Sequence, residues 1–287
     1  MPNALHNLIG DLENDRSLDQ PTRWRERIDA LERIEDLLVY EAEALPPATP
    51  LHQRVRALQS RLESIQSRLY EAIRMAIVQG AGAQALRGWA SPCDDADPQS
   101  YDHLDALISD VLSFEEPSGA IAALDDEMVF YQPTPARHVF DLIERAGIGP
   151  HDVLIDLGSG LGHVPLLVSI CTGARCIGIE REAAYVTAAR RSAESLKVRD
   201  VAFIAQDARE ADLSRATVFY LYTPFTGGLL REVLDKIRHE AGKRAIRIAT
   251  LGPCTAMVGA EPWLTPVGAQ HAHRITLFRP NALPGRH

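Results

Sequence analysis

Apolar residues recur at intervals of four and three at Trp24, Ile28, Leu31, Ile34 and Leu38, which places them on one face of a helix. A second stripe, Leu51, Val55, Leu58, Leu62, Ile65, Leu69, Ile73 and Ile77, predicts a longer helix. The intervening Leu45-Pro46-Pro47-Ala48-Thr49-Pro50 continues neither, because consecutive prolines remove backbone donors and clash with the preceding turn. The two stripes therefore predict a helical hairpin, either a packed or dimerising element whose charged residues are solvated or a lid over a substrate. Gly80 and Gly82 end the second stripe, and the Asp- and Pro-rich residues 91–100 read as loop. Helical spacing resumes over 101–112, followed by a loop at 115–119 and a short apolar stretch at 121–124.

Beyond residue 135 the pattern changes to short apolar runs alternating with helical segments. An amphipathic helix over 136–146, closed by Gly147, leads into Val153-Leu154-Ile155-Asp156-Leu157, a fully buried strand by its continuous apolar run. Further strands are predicted at 176–180, 201–205, 217–222 and 245–251, with helices over 164–171, 182–196 and 228–239 between several of them. Such alternation implies a parallel sheet covered by helices on both faces. After Leu251 the sequence predicts no further helix, only a closing pair of strands at 263–267 and 275–278.

Composition narrows the function classes. With 287 residues, 46% hydrophobic and 24% charged, the chain can build proper cores and is neither disordered nor fibrous. Its net charge of -9 disfavours a generic grip on nucleic acid or an anionic membrane. No apolar run approaches the ~20 residues that span a bilayer, and residues 1–16 lack the order of a secretory signal, so a cytoplasmic protein is expected. Cys93, Cys171, Cys176 and Cys254 show no C-x-x-C spacing and read as reduced, buried thiols.

The strongest chemical signal is Asp156-Leu157-Gly158-Ser159-Gly160-Leu161-Gly162, between a predicted strand and a predicted helix. Glu180 ends the next strand, 20 positions past Gly160. Glycines allow a sharp turn and a close approach to bare backbone, and an acid at the second strand end accepts ribose hydroxyls, so the ligand contains a nucleoside. The dinucleotide fingerprint wants its third glycine where this chain has His163, whereas D-x-G-x-G-x-G places it at Gly162.

Over residues 128–280 the sequence resembles the class I, seven-stranded, S-adenosylmethionine-dependent methyltransferases. The resemblance implies a Rossmann-like, doubly wound, mostly parallel α/β sheet, preceded here by an all-helical N-terminal domain with the boundary at 115. It assigns Asp156, Gly158, Ser159, Gly160 and Gly162 to the cofactor loop, Glu180 to the ribose, and Asp207 to the adenine amine, with Ile204 and Ala208 flanking the adenine. Upstream, Phe130-Tyr131-Gln132-Pro133-Thr134 resembles the segment that covers the methionine end of the cofactor in the non-SET protein lysine methyltransferases, with Tyr131 and Thr134 the matching residues. That family's acidic residue is absent from this stretch, where Pro133 stands in its neighbourhood.

In such folds the end of the fourth strand faces the transferred methyl group, and here it reads Phe219-Tyr220-Leu221-Tyr222-Thr223-Pro224-Phe225. Only the final Pro-aromatic pair matches the Asn-Pro-Pro-Tyr loop of amino-group methyltransferases. Tyr222 and Phe225 are expected to form an aromatic wall near the sulfonium or an ammonium acceptor, and Tyr222 to hydrogen-bond the acceptor. His163 is a candidate base, with His138 a weaker one, and Cys254 a weak candidate nucleophile. No carboxylate at this strand end suits a divalent metal, and none is expected.

The leading expectation is methyl transfer from S-adenosylmethionine to a protein side chain or a small-molecule oxygen or nitrogen. The alternatives are a non-catalytic interaction protein on a methyltransferase scaffold and a nicotinamide oxidoreductase. A homodimer through the N-terminal helices is compatible with each.

Overall fold

The computed structural model describes residues 2–40, 49–89, 101–114, 127–129 and 131–281. The predicted loops over 91–100 and 115–119 and the apolar stretch at 121–124 lie outside them. By internal contacts the chain divides into two compact units, Met1–Ile73 and Arg74–His287.

The first unit holds α1 (Pro2–Asn14), two 3-10 turns, α2 (Trp24–Tyr40) and most of α3 (Pro50–Val78). Both predicted stripes supply its core, with Ala30 and Ile34 of α2 buried together with Val55, Leu58 and Leu62 of α3. Ile9 and Leu12 of α1 and Leu18 of the first turn complete this core, a contribution the stripes do not reveal. Pro50 opens α3 at the position where a missing N–H costs nothing. One charged residue departs from the expected solvated face. Arg27 is fully buried, its guanidinium donating to Gln66 Oε1 at 2.8 Å and to the Leu18 and Gln20 carbonyls at 2.8 and 2.6 Å. Fixed oxygen acceptors replace the water it loses.

The second unit starts with the end of α3, α4 (Gly82–Arg87) and α5 (His103–Leu112). The sequence predicts a boundary at 115, but Leu107, Ile108, Val111 and Leu112 of α5 are buried within the sheet-bearing unit. Helical spacing shows that a face is apolar, not which core receives it. Next come α6 (Ala136–Ala146), β1 (Val153–Leu157), α7 (His163–Thr172), β2 (Arg175–Glu180), α8 (Ala183–Ser195) and β3 (Val201–Ala205). Then follow β4 (Val218–Tyr222), α9 (Gly227–Ala241), β5 (Arg247–Leu251), α10 (Cys254–Gly259), β6 (Leu264–Pro266) and β7 (Thr276–Pro280). α10 corrects the expectation that no helix follows Leu251; its six residues are too few for a periodic signature.

The seven strands lie in the order β3-β2-β1-β4-β5-β7-β6. β1 to β5 are parallel, and β7 runs antiparallel between β5 and β6. The chain builds outward from β1 to β3, then returns to place β4 on the other side of β1. That reversal opens a crevice beyond the carboxyl ends of the strands, where ligands bind in sheets of this kind. Ile155, Leu157, Phe219, Leu221 and Ile248 pack the sheet beneath it.

Candidate functional site

A cavity of about 250 Å³ occupies that crevice. At the β1 end, Gly158 N–H and Ser159 N–H both donate to the Ile179 carbonyl, at 2.8 and 3.0 Å, and Gly162 N–H to the Ser159 carbonyl at 2.8 Å. Gly160 N–H donates to Glu180 Oε2 at 2.8 Å. The Leu161 backbone faces the Tyr131 hydroxyl. The backbone donors of the loop are therefore consumed within the protein, leaving the loop itself no free row of N–H groups for a pyrophosphate.

Gly160 adopts a φ of +52°, and a Cβ there would stand 1.9 Å from Tyr131 Cε2. Its bare side is filled by the tyrosine ring rather than left to the ligand. Tyr131 packs 5.0 Å from the Tyr185 ring and lies 3.3 Å from His163 Nδ1. Burial drives the Tyr131 phenol far above its ordinary range and lowers the pKa of His163 to about 4. His163 also packs against Phe114, with centroids 4.2 Å apart. This neutral imidazole is a poor base and buttresses Tyr131.

The cavity floor carries acids. Asp156 is buried, and desolvation, then the neighbouring Glu180 charge, holds its carboxyl well above the usual range. Glu180 Oε1 accepts the Glu182 N–H at 2.9 Å, so each Glu180 oxygen takes one backbone donor and keeps a further lone pair for a ribose hydroxyl. Asp207 sits beside Ala208 at the β3 end, and Arg209, gripping its carboxylate at 3.0 and 2.7 Å, holds it below the usual range. Buried Ser159 Oγ has no partner. Together these groups suit a cationic adenosyl compound better than a phosphate-bearing one.

At the other end, β4 delivers Tyr220 and Tyr222 to the cavity on one face of the strand, two residues apart. Tyr220 lies 3.0 Å from Thr134 Oγ1. Tyr222 borders open space, and burial raises its phenol. Thr223 follows with a φ of +39°, rare for a β-branched residue. Its Oγ1 donates to the Leu251 carbonyl and accepts Cys254 N–H, both at 3.1 Å. This corner brings Pro224 and Phe225 to the cavity. Residues 127–129 pin the same corner, with Glu127 accepting Gly228 and Leu229 N–H groups at 2.8 and 2.9 Å.

Of the residues expected from sequence, Asp156, Gly158, Ser159, Glu180, Asp207 and Ala208 line the cavity. So do Tyr131, Thr134, His163, Tyr222 and Phe225. Gly160 and Gly162 shape the loop without lining it, and half-exposed Ile204 does not reach it. His138 does not line it either. Cys254 is buried against the Leu221 and Leu251 carbonyls, with its thiol raised by burial, which removes it as a nucleophile. Sequence reasoning missed Tyr185, Gln206 and the Thr134–Tyr220 pair. The alternation of Tyr220 with Tyr222 was the available signal for the last. Among the described residues no cluster of three His, Cys, Asp or Glu side chains is placed to hold a metal, and no helix is long and apolar enough to cross a membrane.

The family model for the histone methylation protein DOT1 matches residues 128–219. A histone-lysine N-methyltransferase, H3 lysine-79 specific, from Cryptococcus neoformans var. neoformans serotype D is 32% identical over 110 residues. That match covers 36% of this chain, and the chain spans only 16% of that relative's length. Among solved structures, an RNA methyltransferase from Salinibacter ruber in complex with S-adenosyl-L-homocysteine is 31% identical, with a TM-score of 0.42. That match covers 53% of this chain and 97% of the other. A methyltransferase from Geobacter sulfurreducens is 22% identical over 40% of this chain and 47% of its own, with a TM-score of 0.34. The sheet order, the glycine loop and the acids match the cofactor domain of the class I S-adenosylmethionine-dependent methyltransferases. Within it, residues 128–219, from the cofactor-covering segment to the start of β4, are similar to the DOT1 histone methylation proteins.

Proposed function

We propose that this enzyme methylates a nitrogen on a protein side chain, with a lysine amine as the leading acceptor. The observation that carries the site is the hydrogen bond from Gly160 N–H to Glu180, which brings loop and ribose acid to one cavity whose far end is aromatic. The named activity of the fungal relative and the DOT1 match favour lysine, and the net charge of -9 suits a basic protein partner.

S-adenosylmethionine supplies an electrophilic methyl group on a sulfonium. The chain's own residues bind and align. Glu180 and Asp207 hold the nucleoside, Asp156 and Ser159 face the amino-acid half, and Tyr131 and Thr134 cover it. Tyr222 and Phe225 present ring faces to the acceptor, where a cation gains ~0.5 to 2 kcal/mol. Alignment of a neutral amine with the methyl carbon is the main catalytic contribution, and His163 supports Tyr131 instead of removing a proton. A cytoplasmic location and self-association through the first unit belong to the same proposal.

Incubation with labelled methyl donor in host lysate, followed by separation of protein, nucleic acid and small molecules, tests it. Label in methyllysine is expected. Label confined to another fraction overturns the acceptor assignment, and tight S-adenosylhomocysteine binding without transfer to any fraction favours a non-catalytic scaffold.

A further inference from the structure

Residues 131–135 carry no regular secondary structure, yet the first four of them form one wall of the cavity. Pro133 and Pro135 deprive this segment of backbone donors, so it cannot be held by a ladder of its own. Ordering such a stretch costs conformational entropy that some set of contacts must offset. On the cavity side the contacts are Tyr131 with His163 and Thr134 with Tyr220.

The segment is also held from the start of α5. The Tyr101 hydroxyl donates to the Pro133 carbonyl at 2.6 Å. Asp105 Oδ1 accepts the N–H of Ala136, the first residue of α6, at 2.6 Å, and its Oδ2 accepts the Asp102 N–H at 2.8 Å. Asp102 completes the capping box by accepting Leu104 and Asp105 N–H groups, and its other oxygen pairs with Arg137 at 3.5 Å. One carboxylate thus ties together the first turns of two helices, and both helix starts leave N–H groups that need such an acceptor.

We infer that Tyr101 and Asp105 are positioning residues for the methionine end of the cofactor site, acting through the 131–136 segment that they clamp. The inference rests on the methyltransferase reading above. It extends the working site to α5, upstream of the stretch that matches the DOT1 family. The clamped segment meets β4 through Thr134 and Tyr220, whereas the nucleoside acid Glu180 ends β2 and Asp207 follows β3, so the two halves of the ligand respond differently to loss of the clamp.

Calorimetry on the full chain with S-adenosylhomocysteine and with adenosine, which lacks the amino-acid half, separates them. Asp105→Asn leaves one of two N–H groups without its acceptor, and Tyr101→Phe removes a hydroxyl bonded to the Pro133 carbonyl and the Gln132 side chain at a half-exposed ring. The S-adenosylhomocysteine Kd is expected to rise about tenfold in Asp105→Asn and about fivefold in Tyr101→Phe. Adenosine affinity should stay within about twofold of wild type, since a nucleoside makes no use of the clamp. Unchanged S-adenosylhomocysteine affinity in both variants overturns the inference, as does an equal loss for adenosine, which marks a fold-wide effect. If Asp105→Asn fails to fold, Tyr101→Phe decides alone. Wild-type protein that binds neither ligand overturns the methyltransferase reading itself, and this inference with it.

Discussion

The Cβ of Pro224 lies 2.3 Å from the point where a Cβ on Gly158 would stand. The loop after β1 and the loop after β4 therefore touch with no room for even a methyl group between them. In the proposed reaction one loop holds the methyl donor and the other faces the acceptor, so their spacing sets how closely the two reactants meet. Thr223, held in its left-handed corner by Leu251 and Cys254, aims the proline at this contact.

Gly158→Ala must both strain a backbone at φ +81° and push Pro224 away. A destabilisation of about 1–3 kcal/mol is expected in urea unfolding, together with a loss of S-adenosylhomocysteine affinity. Wild-type affinity in a folded variant would contradict the proposed coupling of the two loops.

Asp156→Asn should stabilise the ligand-free protein while weakening its grip on the cofactor. The folded state raises this carboxyl above its unfolded value, so the group's contribution to stability is full below about pH 3.9 and is lost as pH rises through the folded pKa. An uncharged amide escapes that loss. The variant's advantage in urea unfolding should be clear at pH 7 and shrink toward pH 4, and calorimetry should show weaker S-adenosylhomocysteine binding.

His163 titrates in the opposite sense. Burial lowers its pKa to about 4, so its contribution is complete above the unfolded value near 6.5 and is lost as pH falls toward the folded one. The expected slope is about 1.4 kcal/mol per pH unit between those limits. In an Asp156→Asn background, which silences the opposing acid, adding His163→Gln should flatten the dependence of stability on pH over that window. An unaltered slope would place the titration elsewhere.

Tyr222→Phe removes the phenol that borders the acceptor end and leaves the ring wall in place. Its effect should fall on the acceptor: a KM raised several-fold, with S-adenosylhomocysteine affinity within about twofold of wild type, since one neutral hydrogen bond is worth roughly 0.5–1.5 kcal/mol. Weakened cofactor binding in place of weakened acceptor binding would move Tyr222 to the other half of the site.

Much of this site could be read from the chain because its parts are local. Asp156 lies near the end of one strand with Gly158 just after it, and Glu180 ends the next, so register alone brings them together. What escaped reading depends on distant segments. Glu127 caps a helix a hundred residues away, and Tyr101 reaches the Pro133 carbonyl from a helix assigned by periodicity to another domain. The missing side chain of Gly160 also makes room for Tyr131, a pairing that only the folded structure shows. Short helices such as α4 and α10 left no trace because six residues make fewer than two turns.

The internal bonding of the glycine loop bears on what the protein ignores. Adenine nucleotides and dinucleotides share the adenosine half of the methyl donor, and a site that read adenosine alone would take them up. Here their phosphates would meet the Glu180 carboxylate, the buried Asp156 carboxyl and a loop whose own amides are already engaged. On the proposed reading the site recognises a common nucleoside while turning away its most frequent carriers, a selectivity built from hydrogen bonds the protein makes only with itself.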